Sequence, residues 1–442
     1  LILLFHHLRE RLPRYPRRFG WLIAIYFINR MASSLIWPFM MIFIREQTHL
    51  SLHPALGASN TLAQLTNIPF PLPLTAITPL LSLQALASVL GTSLIGLLMD
   101  RFGRKRVMLV GLAGYALVVF GMSSASSIIH WAILLVIYGA MHPVFMVGTN
   151  AMTADLVAPE QRVGAYALVR TIANLAIALG PAIGGLFIAE SHLIVYYIVA
   201  ALCLALVLPV TFLLTETLPE RTHADSTPHA SGYGVIFRDR PFMSFIAVFA
   251  LLEVAAALVF NLMSVYLKDQ FAMPESQYGL LLTINSGMVV VLQYSVTQVS
   301  RRFNALPAIA VGSVFYAVGL AIYGAGIAFP AFAFGMVVMT LGELLVAPTS
   351  SSLVAEMAPL NQRARYMGLL SLTYSFGTGV GPVLGGLASE TIAPAAIWYG
   401  GAMVALASAV GFWLLHQSGI VQVGRATANR GKIAAPAVVT EA

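Results

Sequence analysis

The chain has 442 residues, of which 59% are hydrophobic and 9% charged, with a formal net charge of +7. A soluble globular domain carries roughly 25% charged residues, so a soluble enzyme is excluded first, and the apolar content excludes a disordered chain. The positive charges lie in short gaps between apolar runs, which argues against a nucleic-acid partner, and the single cysteine, Cys203, excludes an intramolecular disulfide framework and a multi-thiolate metal site.

Leu1 to Phe5 is apolar but too short for a signal-peptide core, and arginines follow it, so no cleaved leader is expected; the chain begins without Met and its true start is open. A helix needs about 20 apolar residues to cross the hydrocarbon core. Twelve runs meet this length: 20–45, 75–99, 106–125, 129–154, 163–188, 192–214, 242–267, 277–300, 305–327, 331–355, 365–389 and 394–416. Alternating strands are absent, so a β-barrel does not fit. The expected class is an all-α membrane protein of twelve transmembrane helices.

Lys and Arg set the orientation, because cytoplasmic loops carry them in excess. With an even span count both termini share one side, and that side holds 20 of the 24 Lys and Arg, from Arg9 through Arg101, Arg104 and Lys105 to Lys432. Arg45 and Lys268 lie on the other side, and Arg30 and Arg170 fall inside spans. Both termini are therefore expected in the cytoplasm. Trp21, Trp131, Trp398 and Trp413 fall near span ends and read as interfacial anchors.

The sequence repeats. Ala154-Asp155-Leu156, Gln161-Arg162 and Gly180-Pro181-Ala182-Ile183-Gly184-Gly185 recur as Ala355-Glu356-Met357, Gln362-Arg363 and Gly381-Pro382-Val383-Leu384-Gly385-Gly386, at an offset of 356 − 155 = 201. Span one aligns with span seven at 268 − 45 = 223, which matches Phe43-Ile44-Arg45 to Tyr266-Leu267-Lys268. The excess of 22 is an insertion in the outer loop 46–74. Two parallel six-helix repeats are a transporter architecture. The expected organisation is a first bundle over 1–215, a cytoplasmic linker over 216–241, a second bundle over 242–416 and a cytoplasmic tail over 417–442.

The loop after span two reads Gly96-Leu97-Leu98-Met99-Asp100-Arg101-Phe102-Gly103-Arg104-Lys105-Arg106. Gly96 permits close helix approach. Asp100 ends a helix, where the dipole disfavours a negative charge, so it needs a partner. Gly103 suits a tight turn, and Asp155, closing span four, is a candidate partner for Arg101 or Arg104. This stretch resembles the loop 2–3 signature of the major facilitator superfamily, G-x-L-x-D-R-x-G-R-[RK]. The resemblance implies a latch on the cytoplasmic face of the outward-open state, with the aspartate near span eleven. The second-half copy has lost the pattern, so the latch is expected to be asymmetric. In span five, Gly180-Pro181-Ala182-Ile183-Gly184-Gly185 resembles the antiporter motif of the twelve-span drug:proton antiporter (multidrug efflux) family, which implies a tight seal between halves. Its copy in span eleven also suits generic packing. The arginine that many proton antiporters carry in span four, in R-x-x-x-G, is absent: that slot is Leu135.

A charge at mid-span costs about 2.5–3.5 kcal/mol and usually marks a site. The titratable candidates are Arg30, His142, Arg170, Glu253 and Glu343. The repeat places Arg30 opposite Glu253 and His142 opposite Glu343. Arg30, Ser34 and Trp37 in span one, His142 and Asn150 in span four, Asn261 in span seven and Glu343 in span ten belong to polar stripes at helical spacing. The resemblance implies that spans one, four, seven and ten line the central cavity. Glu343 is the expected proton carrier and Glu253 the second candidate, since a carboxyl in a poorly solvated cavity can exchange a proton near neutral pH. Arg30 either pairs with Glu253 or meets an anionic substrate group. His142 is a third proton candidate or a satisfied interior histidine beside a kink at Pro143. Arg170 reaches the cavity or snorkels to the cytoplasmic surface. Asn285, Gln293, Tyr138 and Tyr374 complete the candidate lining.

No Walker A motif or His-Glu-x-x-His signature occurs, so neither an ATP-driven step, a metal nor another cofactor is expected, and the chain is not expected to be an enzyme. The expected function is alternating-access transport, with protons driving export of small lipophilic compounds, by a monomer in the cytoplasmic membrane. Two alternatives remain: proton-coupled uptake of a nutrient such as a peptide or organic acid, and a non-transporting sensor on the same fold.

Overall fold

The computed structural model describes residues 15–56, 73–158, 161–188, 191–218, 233–300, 302–359 and 362–421. Among these every regular element is helical. Helix α1 runs over Arg17–Ile36, tightens into a 3-10 turn at Trp37–Phe39, where Pro38 removes a donor, and continues as Met40–Leu56. Then follow α2 (Leu74–Phe102), α3 (Arg104–Met122), and α4, broken at His142-Pro143 into Ile128–Met141 and Val144–Leu156. Next are α5 (Arg162–Ile188), α6 (His192–Leu213), α7 (Arg240–Phe271) and α8 (Glu275–Ser300). The last four are α9 (Ala305–Ala325), α10 (Phe329–Met357), α11 (Arg363–Thr391) and α12 (Ala396–Ser418).

Each expected span maps onto one helix. Eleven are long and apolar enough to cross a membrane on their own composition; the other, α11, is as long but diluted by Gly, Ser and Thr. The boundaries differ in one place. The loop expected from residue 46 begins as helix, because α1 continues to Leu56. Residues 46–53 hold polar groups but no Gly or Pro, so polarity marks the end of the apolar run without ending the hydrogen-bond ladder. Residues 57–72 of that loop, 219–232 of the expected linker and 422–442 of the expected tail lie outside the described residues. Two tryptophans also depart from expectation. Trp131 and Trp398 are fully buried among neighbouring helices, whereas Trp21 and Trp413 are exposed as interfacial anchors should be. Position near a span end does not tell which face of the helix a residue occupies.

The packing obeys the repeat. In the first six helices α1 packs on α5 and α6, α2 on α4, and α3 on α4 and α6; in the last six α7 packs on α11 and α12, α8 on α10, and α9 on α10 and α12. Contact between the two sets runs mainly through α5 against α8 and α2 against α11, which exchange under the same two-fold relation. The bonds across these contacts are reciprocal. The Thr283 hydroxyl of α8 donates to the Ala178 carbonyl of α5 at 2.8 Å, and the Ser82 hydroxyl of α2 donates to the Gly379 carbonyl of α11. Both residues of one pair reach the other by the 201-residue offset: 82 + 201 = 283 and 178 + 201 = 379. The glycine motifs follow suit. A Cβ on Gly185 would meet the Ser276 backbone of α8 at 2.8 Å, and one on Gly386 would meet Leu74 of α2 at 3.3 Å. Gly180 and Gly184 instead face Ser34 and Leu35 of α1, so the antiporter-type motif packs inside the first bundle on one edge and across the halves on the next.

At the end of the spans where α1 meets α7, ion pairs close the contact. Arg45 pairs with Asp269, and Lys268 with Glu46 and, at 2.6 Å, with Glu275. The first two are again reciprocal, since 45 + 223 = 268 and 46 + 223 = 269. Nearby, Glu390 of α11 accepts from the backbone N–H and hydroxyl of Thr75 of α2 at 3.1 and 2.5 Å. Partly exposed ion pairs are worth about 0.2–1 kcal/mol each. Arg45→Asp is expected to lower the melting temperature by a few degrees and to make a cysteine placed behind the clasp more reactive to a membrane-impermeant maleimide; combining it with Asp269→Arg should restore both. A double variant as reactive as the single one would show that the pair does not hold this end shut.

Candidate substrate cavity

A cavity of about 340 Å³ lies between the two halves. Its charged lining groups among the described residues are Arg170 from α5, Glu253 from α7 and Glu343 from α10. Trp37, Phe260, Tyr316 and Tyr374 give aromatic surface, and Asn174, Asn261 and Asn285 give amides. The 3-10 turn in α1 presents Trp37 toward α7, with its ring centroid 6.1 Å from that of Phe260. Asn285 donates to the Glu343 carboxylate at 2.7 Å and lies 2.9 Å from the Thr340 hydroxyl, which itself donates one turn back to the Met336 carbonyl. Glu343 is thus held from α8 and keeps a second oxygen for the cavity. Glu253 sits where Gly377 of α11 packs directly on its backbone. The charges of Glu253 and Glu343 reach each other, and Arg170 acts on Glu343 and on Tyr374. Arg170 makes no hydrogen bond or ion pair among the described residues and its side chain is exposed, so it lines open space and is not spent on packing.

The loop between α2 and α3 is built by a tight turn. Gly103 has φ = 98°, a region L residues rarely adopt. A Cβ there would strike the Glu216 carboxylate. That carboxylate accepts from the backbone N–H of Arg104 at 2.9 Å and of Lys105 at 3.2 Å, and so caps the N-terminus of α3, where an anion is favoured. Partial burial would by itself raise the Glu216 carboxyl, but the N–H groups of Leu218, Arg104, Thr217 and Lys105 outweigh it and hold it below the ordinary carboxylate range. Arg104 pairs with Asp155 at 2.7 Å and donates to the Thr217 carbonyl, while the Thr217 hydroxyl donates to Asp155. Asp155 therefore meets Arg104; Arg101 lies over the Phe102 ring at 5.3 Å. Among the described residues Asp100 has only Arg104, at 4.0 Å, and its side chain is 70% exposed.

A family model for the Major Facilitator Superfamily matches residues 22–324 and 254–439. The chain belongs to the major facilitator superfamily. It is 25% identical to a Na(+), Li(+), K(+)/H(+) antiporter of Planococcus maritimus, over 76% of this chain and 87% of that protein. It is 23% identical to multidrug resistance protein 1 of Bacillus subtilis (strain 168), over 71% and 80%. Its fold is similar to the crystal structure of a POT family transporter in complex with 5-aminolevulinic acid, with a TM-score of 0.74 at 11% identity over 92% and 97%. Members of this superfamily are transporters and not enzymes.

Several expected lining residues of this major facilitator lie elsewhere. Helix α4 contributes nothing to the cavity lining. Tyr138 is fully buried inside the first bundle, where its hydroxyl lies 3.3 Å from that of Tyr115, and the His142 ring stacks on Tyr138 at 5.6 Å. Arg30 joins this group, close enough for its charge to act on Tyr138 and His142, and its Nε is buried without a partner. It forms no ion pair with Glu253: equivalent positions in a repeat lie on opposite sides of the two-fold axis, and each packs first against its own bundle. Ser34 is spent on the Ala176 carbonyl of α5 at 3.1 Å. Gln293 is spent on the Leu344 carbonyl at 3.2 Å. Asn150 is exposed, with its carbonyl taken by the Tyr166 hydroxyl. The close helix approach expected at Gly96 is not made, since nothing lies within 4 Å of a Cβ there. The α2–α4 approach occurs at Gly91 instead, against the Ala140 backbone at 2.7 Å. Sequence reasoning missed Tyr316, in a span with no polar stripe, and Glu216, hidden at the edge of the linker; a carboxylate that could reach back to a helix start was the signal for the latter.

Glu216→Gln should weaken the α3 cap by about 0.3–1 kcal/mol. Because the native carboxyl titrates lower than in the unfolded chain, its contribution is present above roughly pH 4 and fades as the pH falls through the native value. Thermal melts should therefore separate the variant from the parent at pH 7 and converge in acid. Equal separation at both pH values would assign the cap to shape alone.

Proposed function

We propose that this major facilitator is a proton-coupled exporter of small lipophilic cations in the cytoplasmic membrane. The observation that carries the reading is the cavity itself: two carboxylates and one guanidinium among aromatic rings, with the Asn285 amide holding one of the acids. The rings give a cationic apolar molecule contact area and cation–π attraction. The carboxylates give it a counter-charge that a proton can replace. The relative named as a multidrug resistance protein supports a drug-like cargo, and the one named as a Na(+), Li(+), K(+)/H(+) antiporter supports coupling to protons.

The positive-inside rule assigns the Asp100 end to the cytoplasm and the Arg45 end to the outside. On that assignment we read the conformation as inward-facing, because the Arg45 end is closed by ion pairs while the Asp100 side chain is exposed at the other end. The cycle then follows. In the inward state Glu343, or Glu253, gives its proton to the cytoplasm and accepts the cation. The Asp100 loop closes the inner face, the clasp of Arg45, Glu46, Lys268 and Asp269 opens, and an external proton displaces the cargo. A second reading, exchange of an inorganic monovalent cation, is favoured by the named antiporter relative; the aromatic lining favours the organic one.

Purified protein in proteoliposomes with an internal pH dye tests this. Tetraphenylphosphonium is expected to drive proton movement in the opposite direction, and Glu343→Gln to reduce that movement at least tenfold. A response to Na+ or K+ alone would select the second reading. Undiminished uphill accumulation by Glu343→Gln would remove Glu343 as the proton carrier.

A further inference from the structure

The net charge of the cavity is set by one residue from the opposite half. Glu253 and Glu343 come from α7 and α10, in the last six helices; Arg170 comes from α5, in the first six. The other titratable lining groups, Tyr316 and Tyr374, are neutral phenols. Arg30 does not enter the sum, since it lies with Tyr138 and His142 inside the first bundle. When both acids are ionised, two carboxylates and one guanidinium leave a single net negative charge. A charge held at mid-span without a counter-charge is costly, so the closed cavity is favoured when its lining charges balance. One proton or one monovalent cation makes this cavity neutral; a second proton or a divalent cation overshoots.

We propose that Arg170 fixes the coupling stoichiometry and the charge of the cargo: one proton exchanged for one monovalent cation. This rests on the proton-coupled cation reading above. Arg170 is suited to the role by its exposure to the cavity and its freedom from any hydrogen bond or ion pair among the described residues. A guanidinium stays protonated at every physiological pH, so its charge is a constant against which the two acids are counted. Its charge reaches Glu343 and Tyr374 from across the interface, so the sum is complete only when both halves are together. Removing it leaves two uncompensated carboxylates, which two protons, two monovalent cations or one divalent cation would balance.

The test is the electrical signature of exchange in proteoliposomes, with a potassium diffusion potential set by valinomycin. The probes are tetraphenylphosphonium, with one charge, and dequalinium, with two. The parent and Arg170→Lys are expected to exchange tetraphenylphosphonium electroneutrally, with a rate unmoved by the potential, and to prefer it over dequalinium. Arg170→Gln is expected to exchange dequalinium electroneutrally with two protons, to gain at least tenfold in preference for it, and to become potential-sensitive with tetraphenylphosphonium. Arg170→Gln that keeps the parent's electroneutral exchange and preference overturns the proposal while leaving proton-coupled export intact. A parent that moves no protons with either probe overturns both. Should Arg170→Gln be inactive, the double variant Arg170→Gln/Glu253→Gln, which restores one net negative charge, decides: recovered electroneutral exchange of tetraphenylphosphonium supports the proposal, and continued loss overturns it.

Discussion

The contact between the two six-helix halves is built twice from one pattern, and the rest of the molecule hangs on it. Thr283 bonds Ala178 as Ser82 bonds Gly379, and Arg45 pairs with Asp269 as Lys268 pairs with Glu46. A two-fold contact of this kind gives a pivot in which neither half is the fixed one. The hydroxyl bonds sit in a small-residue interface, where Gly185 and Gly386 let backbones approach within van der Waals contact. The ion pairs sit at the end, where water can replace them when they part. Among the described residues the clasp leaves the Arg45 Nε buried without a partner, so the closed end is not fully satisfied.

The cavity departs from that symmetry, and the departure carries the chemistry. Both acids belong to the second half and the free guanidinium to the first. In the first half, His142 of α4 stacks on Tyr138 and Arg30 of α1 lies beside them, away from the cavity. The architecture is symmetric in its joints and asymmetric in its charges. The loop between α2 and α3 shows the same division. Glu216 and Asp155 anchor it within the first half by capping α3 and pairing Arg104, leaving Asp100 exposed.

Particular residues show how far the linear pattern reaches. Span number and membrane class follow from run length and the scarcity of charge, because a bilayer tolerates only helices whose backbone is satisfied internally. The loop motif, the glycine motifs and the Asp155–Arg104 pair were legible because each depends on residues close in sequence or on spacing that the repeat duplicates. Trp37, Arg170, Asn261, Asn285 and Tyr374 were legible as cavity candidates because polar or amphipathic groups at mid-span have few places to go. Tyr138, Ser34 and Gln293 carried the same signal, yet each points to a neighbouring helix within its own half.

The sequence by itself determined the twelve helices, their pairing into two repeats, the membrane environment and the short set of mid-span charges. Each of these rests on hydrophobic run length, charge placement or periodicity, which are properties of the chain taken in order. Only the tertiary structure decided that Arg170 and not Arg30 faces the two acids, that Asp269 and Glu46 complete a reciprocal clasp, and that Glu216 closes the turn at Gly103. Those outcomes depend on helix rotation and on which neighbour each face meets. A period of 3.6 residues fixes which side chains share a face, and packing alone fixes what that face is turned toward.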